Sequence, residues 1–595
     1  MLTELFAAIQ TLADKMPSAQ AKLVQLQYDE ERKVYSGVID ERNKTTISFP
    51  ASGRRGPQMP TSSADMPAES TRSSSGSAPT SSSGSLSTTM HRSPSAPIKP
   101  RKKILVLGSG FVAGPLVEYL HRRPENFITV ASAVKAEGER LVKPFQPASG
   151  DEAETRVAYL ELNVSDSDRV RQLVSRHDLV VSLLPATLHP EIAKQCIELR
   201  KDMVTASYVS PAMKALDESA KQAGITILNE MGLDPGLDHM SAMEIIAESK
   251  SRGSKVMSFR SLCGGLPAPE CANNPFAYKF SWSPLGMLLA TQNNAVFKEG
   301  GKMVELPAAK LLTSAKSLDL NPAFSLEYYA NRDSLSYSGL YGLPLDEIST
   351  MFRGTIRYTG TARLLHGYAK LGLLDRTNLP SMPASMHWPA LLSQMLGVSS
   401  AKEVPAAIEA RLKASGDFDP AQVARVIESM EWLGLLSSNE SLLRGTGISA
   451  ARGSETRISN PMELLCSILQ EKLQYAPGER DMVVMYHEFV LAHADGSRSI
   501  KKASLVSYGG DDAVTNPNPL IAMTPGGGGR KGYSAMSRTV GIPAAIGVQR
   551  ILDGQLARGS GVIIPLAKDL YEPALREMKE KEGIVFVEEE KKINF

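Results

Sequence analysis

Apolar positions change their spacing several times along this chain, and each change predicts a different element. Leu2, Leu5, Phe6, Ile9 and Leu12 recur at helical spacing, which predicts a short amphipathic helix over residues 1–15. From about residue 50 to residue 100, Ser, Pro, Thr and Gly dominate. Such a tract buries too little apolar surface to offset the entropy of ordering it, so residues 1–100 read as a helix followed by a disordered linker. The folded part of the chain is expected to begin near Arg101, where short, almost unbroken apolar runs start: 103–107, 127–131, 158–162, 179–183, 203–206 and 225–228. Helix-like stretches separate most of them. Strands alternating with helices predict an α/β fold with a doubly wound parallel sheet, and near-continuous apolar strands fit burial on both faces.

After Asp238 the pattern changes. Residues 255–263, 302–306 and 353–358 read as strands of a separate mixed sheet, and 361–465 as mainly helical. Strands return near Asp481, with 482–485 and 487–492 as two arms of an antiparallel element and 502–508 as another strand. The stretch 509–530, with four consecutive glycines at 526–529, reads as a loop. Residues 534–549 form a helix of small residues suited to close packing. The domains expected are 101–238 as the parallel-sheet unit, 239–360 as a second α/β unit and 361–465 as a helical one.

Composition narrows the function class. A formal net charge of +2 over 595 residues offers no concentrated basic face for nucleic acid. No apolar run approaches the roughly 20 residues of a membrane-spanning helix. The four cysteines, Cys196, Cys263, Cys271 and Cys466, form no CxxC pair, so no metal site is expected and a reducing compartment is. The N-terminus has neither secretory nor Arg-rich, acid-poor character, which sets a cytoplasmic expectation with mitochondrial import left open.

The first chemistry-bearing motif is Gly108-Ser109-Gly110-Phe111-Val112-Ala113, a GxGxxA turn between a strand and a helix. Gly108 permits the turn, Gly110 lets backbone approach a pyrophosphate, Ala113 keeps the helix close to the sheet, and the helix N-terminus favours an anion. The second strand ends Ala131-Ser132-Ala133-Val134-Lys135, without the acid that grips the ribose of NAD or the Arg that holds the phosphate of NADP. On these residues alone the cofactor subtype is open. Three loops follow strands at the sheet's carboxyl edge, where open α/β folds bind ligands: Ser182-Leu183-Leu184-Pro185, Thr205-Ala206-Ser207-Tyr208, and Gly232-Leu233-Asp234-Pro235-Gly236 through His239. Arg332, Arg353 and Arg357 lie in polar stretches of the second unit and suit carboxylate recognition. Cys263 has no histidine beside it in the sequence and reads as a buried structural thiol.

With these phrases assembled, the chain resembles the glutamate-forming saccharopine dehydrogenases, including the C-terminal half of the bifunctional aminoadipic semialdehyde synthases. The matching phrases are LGSGFVAGP at 107–115, DLVVSLLP at 178–185, TASYVSPAM at 205–213, GLDPGLDH at 232–239, CGGLPAPE at 263–270, NPFAYKFSWSP at 274–284, ANRDS at 330–334, RGTIRY at 353–358 and GYSAM at 532–536. The resemblance runs from about residue 102 onward. It implies a dinucleotide domain completed by about 532–595, a saccharopine-binding domain completed by about 466–531, and a small helical domain. It implies interconversion of saccharopine with glutamate and 2-aminoadipate 6-semialdehyde, a homodimer being left open. Cofactor contacts would fall on Gly108, Ser109, Gly110, Phe111, Val112, Ala131, Ser132, Ala133, Asn163, Val164, Leu184, Ala206, Ser207, Leu233, Asp234 and Pro235. Substrate contacts would fall on Ser207, Tyr208, Asp234, Arg332, Thr355, Ile356 and Arg357, with Asp234 and Tyr208 as proton-relay groups. The sequence departs from the fungal pattern at Ala133, where an Arg is usual, and at Asn163, where an Asp is usual; Val130-Ala131-Ser132 tilts the expectation from NADP toward NAD. Another oxidoreductase on the same scaffold, or a non-catalytic dinucleotide-binding regulator, are the competing readings.

Overall fold

The computed structural model describes residues 25–29, 34–40, 45–50, 101–146, 155–379, 386–437, 460–510, 532–556 and 560–593. The helix expected at 1–15, the linker at 51–100 and the loop at 511–530 lie outside the described residues. Residues 1–95 and 96–595 are separate compact units. In the first, β1 (Gln25–Asp29), β2 (Val34–Asp40) and β3 (Thr45–Pro50) form an antiparallel meander. A helix-plus-linker reading of residues 1–100 therefore missed these strands, which bring together the β-formers Val34, Tyr35, Val38, Ile47 and Phe49.

The second unit holds two sheets. The first has seven parallel strands in the order β18-β9-β8-β7-β4-β5-β6: β4 (Lys102–Leu107), β5 (Asn126–Ser132), β6 (Val157–Glu161), β7 (Leu179–Ser182), β8 (Asp202–Val204), β9 (Thr226–Leu228) and β18 (Gly561–Ile563). Ile104, Leu105, Val106 and Leu107 of β4 are all fully buried, because the sheet is covered on both faces. Chain direction reverses its progress across the sheet between β4 and β7, and this switch point opens a crevice at the carboxyl edge. Helix α1 (Ala113–His121) follows β4, and α2 (His189–Leu199) follows β7.

The second sheet has nine strands: seven along β12-β11-β15-β10-β16-β17-β19, with β14 pairing to β15 and β13 pairing to β14. They are β10 (Lys255–Pro267), β11 (Ala295–Glu299), β12 (Lys302–Leu306), β13 (Lys316–Leu318), β14 (Leu326–Ala330), β15 (Thr350–Tyr358), β16 (Asp481–Ala492), β17 (Arg498–Tyr508) and β19 (Val587–Ile593). The two arms expected at 482–492 are one continuous strand, since Met482 to Ala492 pair without a break to β17. Helices at Thr361–Lys370, Trp388–Leu396, Val404–Ala414, Pro420–Trp432 and Pro461–Lys472 share one apolar core with β14 and β15. A boundary at 465/466 cuts the last of these helices, whose Leu464, Leu465, Ile468 and Leu469 all enter that core.

The late part of the chain closes both sheets. Helix α3 (Ala535–Leu552) packs on α1 so closely that a Cβ on Gly541 would lie 2.5 Å from the Val112 carbonyl oxygen. β18 extends the first sheet. β19 does not: it pairs with β17 of the second sheet from Ser504↔Val587 to Arg498↔Ile593. The expected completion of the dinucleotide domain by all of 532–595 is thus corrected, because the exposed backbone edge of β17 captures the final strand.

Candidate active site

The phosphate turn is built as a strand–turn–helix. Gly108 has φ +106°, and a Cβ there would lie 3.2 Å from the Leu183 carbonyl oxygen, so the turn is held against the loop after β7. A Cβ on Gly110 would meet no atom within 4 Å, which leaves open space beside the turn. The N-terminus of α1 has no side-chain cap and no acid in its first turn, so its backbone donors and dipole remain available to an anion. These features fit a pyrophosphate. Gly114, the next residue of α1, is approached closely by Tyr533, which precedes α3: a Cβ there would lie 2.7 Å from Tyr533 Cε1.

At the end of β5, the Ser132 hydroxyl lies 2.9 Å from that of Ser109 and accepts from the Val134 N–H, tying the turn to the second strand. Ala133 and Lys135 are exposed beyond it. Ala131 and Leu233 are 0% and 4% exposed, so only their backbones can reach a ligand. Asn163 is exposed and accepts from the Ser165 N–H; Val164 and Leu184 are half-buried against the core on the other sheet face. Phe111 and Val112 flank the turn, half-buried.

The loop after β9 brings the two sheets together. Gly236, at φ +147°, sits against the backbone of Gly232, where no side chain fits, and the Asp234–Pro235 peptide is cis. Asp234 Oδ1 accepts from Tyr208 Oη at 2.6 Å and from Arg353 Nη2 at 2.6 Å. The same Nη2 donates to Asp238, in the first turn of the helix Leu237–Ser251. Asp234 Oδ2 has no partner among the described residues. Arg353 is 4% exposed and stacks 4.0 Å over Tyr337. Burial and the Asp234 carboxylate push the Tyr208 phenol well up, so it keeps its proton and donates it. Burial likewise pushes the Cys263 thiol well up, against any nucleophilic role.

Strand β15 alternates, with Arg353, Thr355 and Arg357 on one face and Phe352 and Ile356 on the other. Ile356 is 0% exposed and belongs to the core shared with the helical segment, so its side chain cannot touch a substrate. That correction follows from the period of two. Arg357 is 3% exposed, lies 5.1 Å over Tyr278 and donates through Nη1 to the Ile356 carbonyl, while its Nε has no partner. Arg332 is exposed, at φ +52°, and lies 5.4 Å over Tyr208. Among the described residues neither Arg332 nor Arg357 forms an ion pair. Arg353, by contrast, is compensated by two carboxylates.

Sequence reasoning named the Arg353 stretch but left Arg353 and Asp238 out of the site. The signal was present: Asp234 and Asp238 are four apart across a helix start, and Arg353 and Arg357 share a strand face. Behind Asp238, His239 is 0% exposed, with Nε2 2.7 Å from Glu230 and Nδ1 2.6 Å from Tyr341 Oη. Among the described residues no cluster of His, Cys, Asp and Glu is arranged to hold a metal, and no helix is long and apolar enough to cross a membrane.

Comparison with known proteins places this geometry. The model of the saccharopine dehydrogenase NADP binding domain matches residues 104–228, and that of the saccharopine dehydrogenase C-terminal domain matches residues 232–584. The lean toward NAD is therefore not supported. The chain is 36% identical over 491 residues to the saccharopine dehydrogenase (NADP(+), L-glutamate-forming) of Saccharomyces cerevisiae, covering 82% of this chain and 99% of that protein. It is 38% identical over 491 residues to the mitochondrial alpha-aminoadipic semialdehyde synthase of Bos taurus, covering 82% of this chain and 47% of that protein. The chain thus spans about half the length of such synthase relatives. The apo saccharopine dehydrogenase (L-Glu forming) structure from S. cerevisiae superposes with a TM-score of 0.67 at 35% identity, covering 83% of this chain and all of that one. This chain belongs to the saccharopine dehydrogenase family.

Proposed function

We propose that the chain interconverts saccharopine with L-glutamate and 2-aminoadipate 6-semialdehyde, using NADP. The observation that carries the reading is the pair of guanidiniums without ion-pair partners among the described residues, Arg332 and Arg357, flanking the Tyr208–Asp234–Arg353 cluster beside the crevice. A substrate bearing several carboxylates around a secondary amine matches that charge layout. The bound dinucleotide supplies the hydride acceptor or donor. Arg357, buried and anchored on the Ile356 carbonyl, holds a carboxylate at a fixed position; Arg332, exposed over Tyr208, closes on a second. Asp234 presents Oδ2 to the amine because Tyr208 and Arg353 occupy Oδ1. The amine must be neutral to lose hydride, and the attacking water must lose a proton. Tyr208 and Asp234 are the groups placed to hold those protons.

NADP is favoured over NAD because β5 ends without an acid to grip a ribose hydroxyl or repel a phosphate, and because Lys135, exposed and held among the described residues only by Glu139 at 3.8 Å, stands just beyond it. The NADP-named family model supports the same choice.

A spectrophotometric assay tests both claims. Saccharopine-dependent reduction of NADP should exceed that of NAD in kcat/KM. Greater efficiency with NAD overturns the cofactor assignment alone; no saccharopine-dependent signal with either overturns the reaction.

A further inference from the structure

One buried polar cluster on the dinucleotide side has no role in the reading above. His189, the first residue of α2, is 1% exposed, yet both ring nitrogens are engaged. Nδ1 lies 2.9 Å from Ser182 Oγ, while Nε2 lies 2.9 Å from Ser207 Oγ and 3.1 Å from Thr205 Oγ1. Ser182 is the last residue of β7, and Thr205 and Ser207 follow its neighbour β8. The imidazole thus joins the carboxyl ends of two adjacent strands just past the switch point.

The chemistry of this cluster is directional. Burial pushes His189 down to about 4, so at neutral pH the ring carries one N–H and one lone pair. Whichever nitrogen holds the proton, the other accepts, and the Ser182–His189–Ser207 chain is polarised one way. Ser182 is 0% exposed and has His189 as its side-chain partner. Thr205 Oγ1 also accepts from the Ser207 N–H at 3.3 Å, which fixes the backbone that carries the third hydroxyl. Ser207 is the half-buried end of the chain, open to the crevice. β8 lies two strands from β4, so at about 4.8 Å per strand Ser207 stands roughly 10 Å along the edge from the phosphate turn. That is about the reach from a pyrophosphate across one ribose to its base.

We propose that His189 is a positioning residue that fixes the Ser207 hydroxyl toward the reacting end of the dinucleotide. The inference rests on the reading of Ser207 as a cofactor contact. An unheld serine hydroxyl would sample several rotamers, and loss of one hydrogen bond is worth about three- to tenfold.

Four proteins test it: wild type, His189→Ala, Ser207→Ala and the double variant, with kcat/KM for saccharopine oxidation and NADPH affinity by fluorescence titration, below the lowest unfolding midpoint. Each single variant should lose about three- to tenfold, and the double variant should lose no more than Ser207→Ala alone. A second pair separates positioning from folding. His189→Gln keeps a polar group near the Nε2 position and should recover most of the loss; His189→Asn keeps one near Nδ1, facing Ser182, and should not. Losses that multiply in the double variant, or equal rescue by Asn and Gln, overturn the proposal. If wild type turns over no saccharopine, the reaction reading fails, and the same cycle in NADPH affinity still decides the role of His189.

Discussion

Replacing Arg353 by alanine would leave two carboxylates facing each other in the interior. Its Nη2 is shared by Asp234, at 2.6 Å, and Asp238, whose side chain is 1% exposed. Each pairing is worth about 4 kcal/mol of Coulomb energy at roughly 4 Å between charges and an effective dielectric of about 20. The guanidinium repays several kcal/mol of desolvation, so the net value of the cluster is small while the cost of breaking it is large. Removing one partner of a buried pair costs about 3–5 kcal/mol. At about 2.1 cal/mol/K of unfolding entropy per residue, a unit of about 500 residues shifts by roughly 1 °C per kcal/mol, so Arg353→Ala should lower the thermal midpoint of this unit by roughly 3–5 °C. Adding Asp238→Asn removes one uncompensated charge and should recover about half of the loss, although the same carboxylate also accepts from the Gly236 N–H. Differential scanning fluorimetry on the three proteins reads both numbers. A fall below about 2 °C for Arg353→Ala, or no recovery in the double variant, would refute the claim that Arg353 compensates both carboxylates.

Other expectations follow from neighbouring features. Gly110→Ala meets no protein atom within 4 Å, so the fold should be unchanged while NADPH affinity drops by about tenfold or more; unaltered affinity would remove the pyrophosphate from that space. Arg357→Ala should raise KM for saccharopine by about 10- to 100-fold, as expected for a charged hydrogen bond, and much more than KM for the dinucleotide; equal effects would show that it holds no substrate carboxylate. Asp481 accepts from the Ala535 and Met536 N–H groups at the start of the late-chain helix, and burial pushes it up to about 6 from 3.8. Folding therefore favours its protonated form, a contribution complete below about pH 4 and lost as pH rises through about 6. Relative to wild type, Asp481→Asn should gain up to about 3 kcal/mol of stability between pH 4 and pH 7 in urea titrations, and a difference independent of pH would contradict the raised value.

The dinucleotide side was the more legible half. Its parallel strands are buried on both faces, so 103–107 and 179–183 stand out as apolar runs, and the glycine turn between strand and helix can be read locally. The second sheet was harder because its pairings are long-range. β11, β13 and β14 are three to five residues long; β11 and β14 are placed by pairing with β15, and β13 by pairing with β14, which no local pattern encodes. A break was expected at Tyr486, yet pairing on both sides carries β16 straight through it. In the site, motifs located Asp234, Tyr208, Arg332 and Arg357. They could not reveal that Arg353 is held by Asp234 and Asp238, because that depends on a strand and a loop about 119 residues apart meeting in space. Ile356 was grouped with its neighbours for the opposite reason: a contiguous motif hides the strand alternation that turns its side chain into the core.

The two sheets also share a timetable. β18 and β19 are separated by fewer than thirty residues, yet one finishes the edge of the dinucleotide sheet and the other caps β17 in the partner sheet. As the chain emerges from a ribosome at about 5–20 residues per second, strands β4 to β9 are complete long before either edge arrives. Both nascent sheets therefore wait, each with an unpaired edge, for the same short stretch of polypeptide. A nick or frameshift near residue 560 would strip an edge from two sheets at once, so damage confined to one end of the sequence should be felt in cofactor binding and substrate binding together.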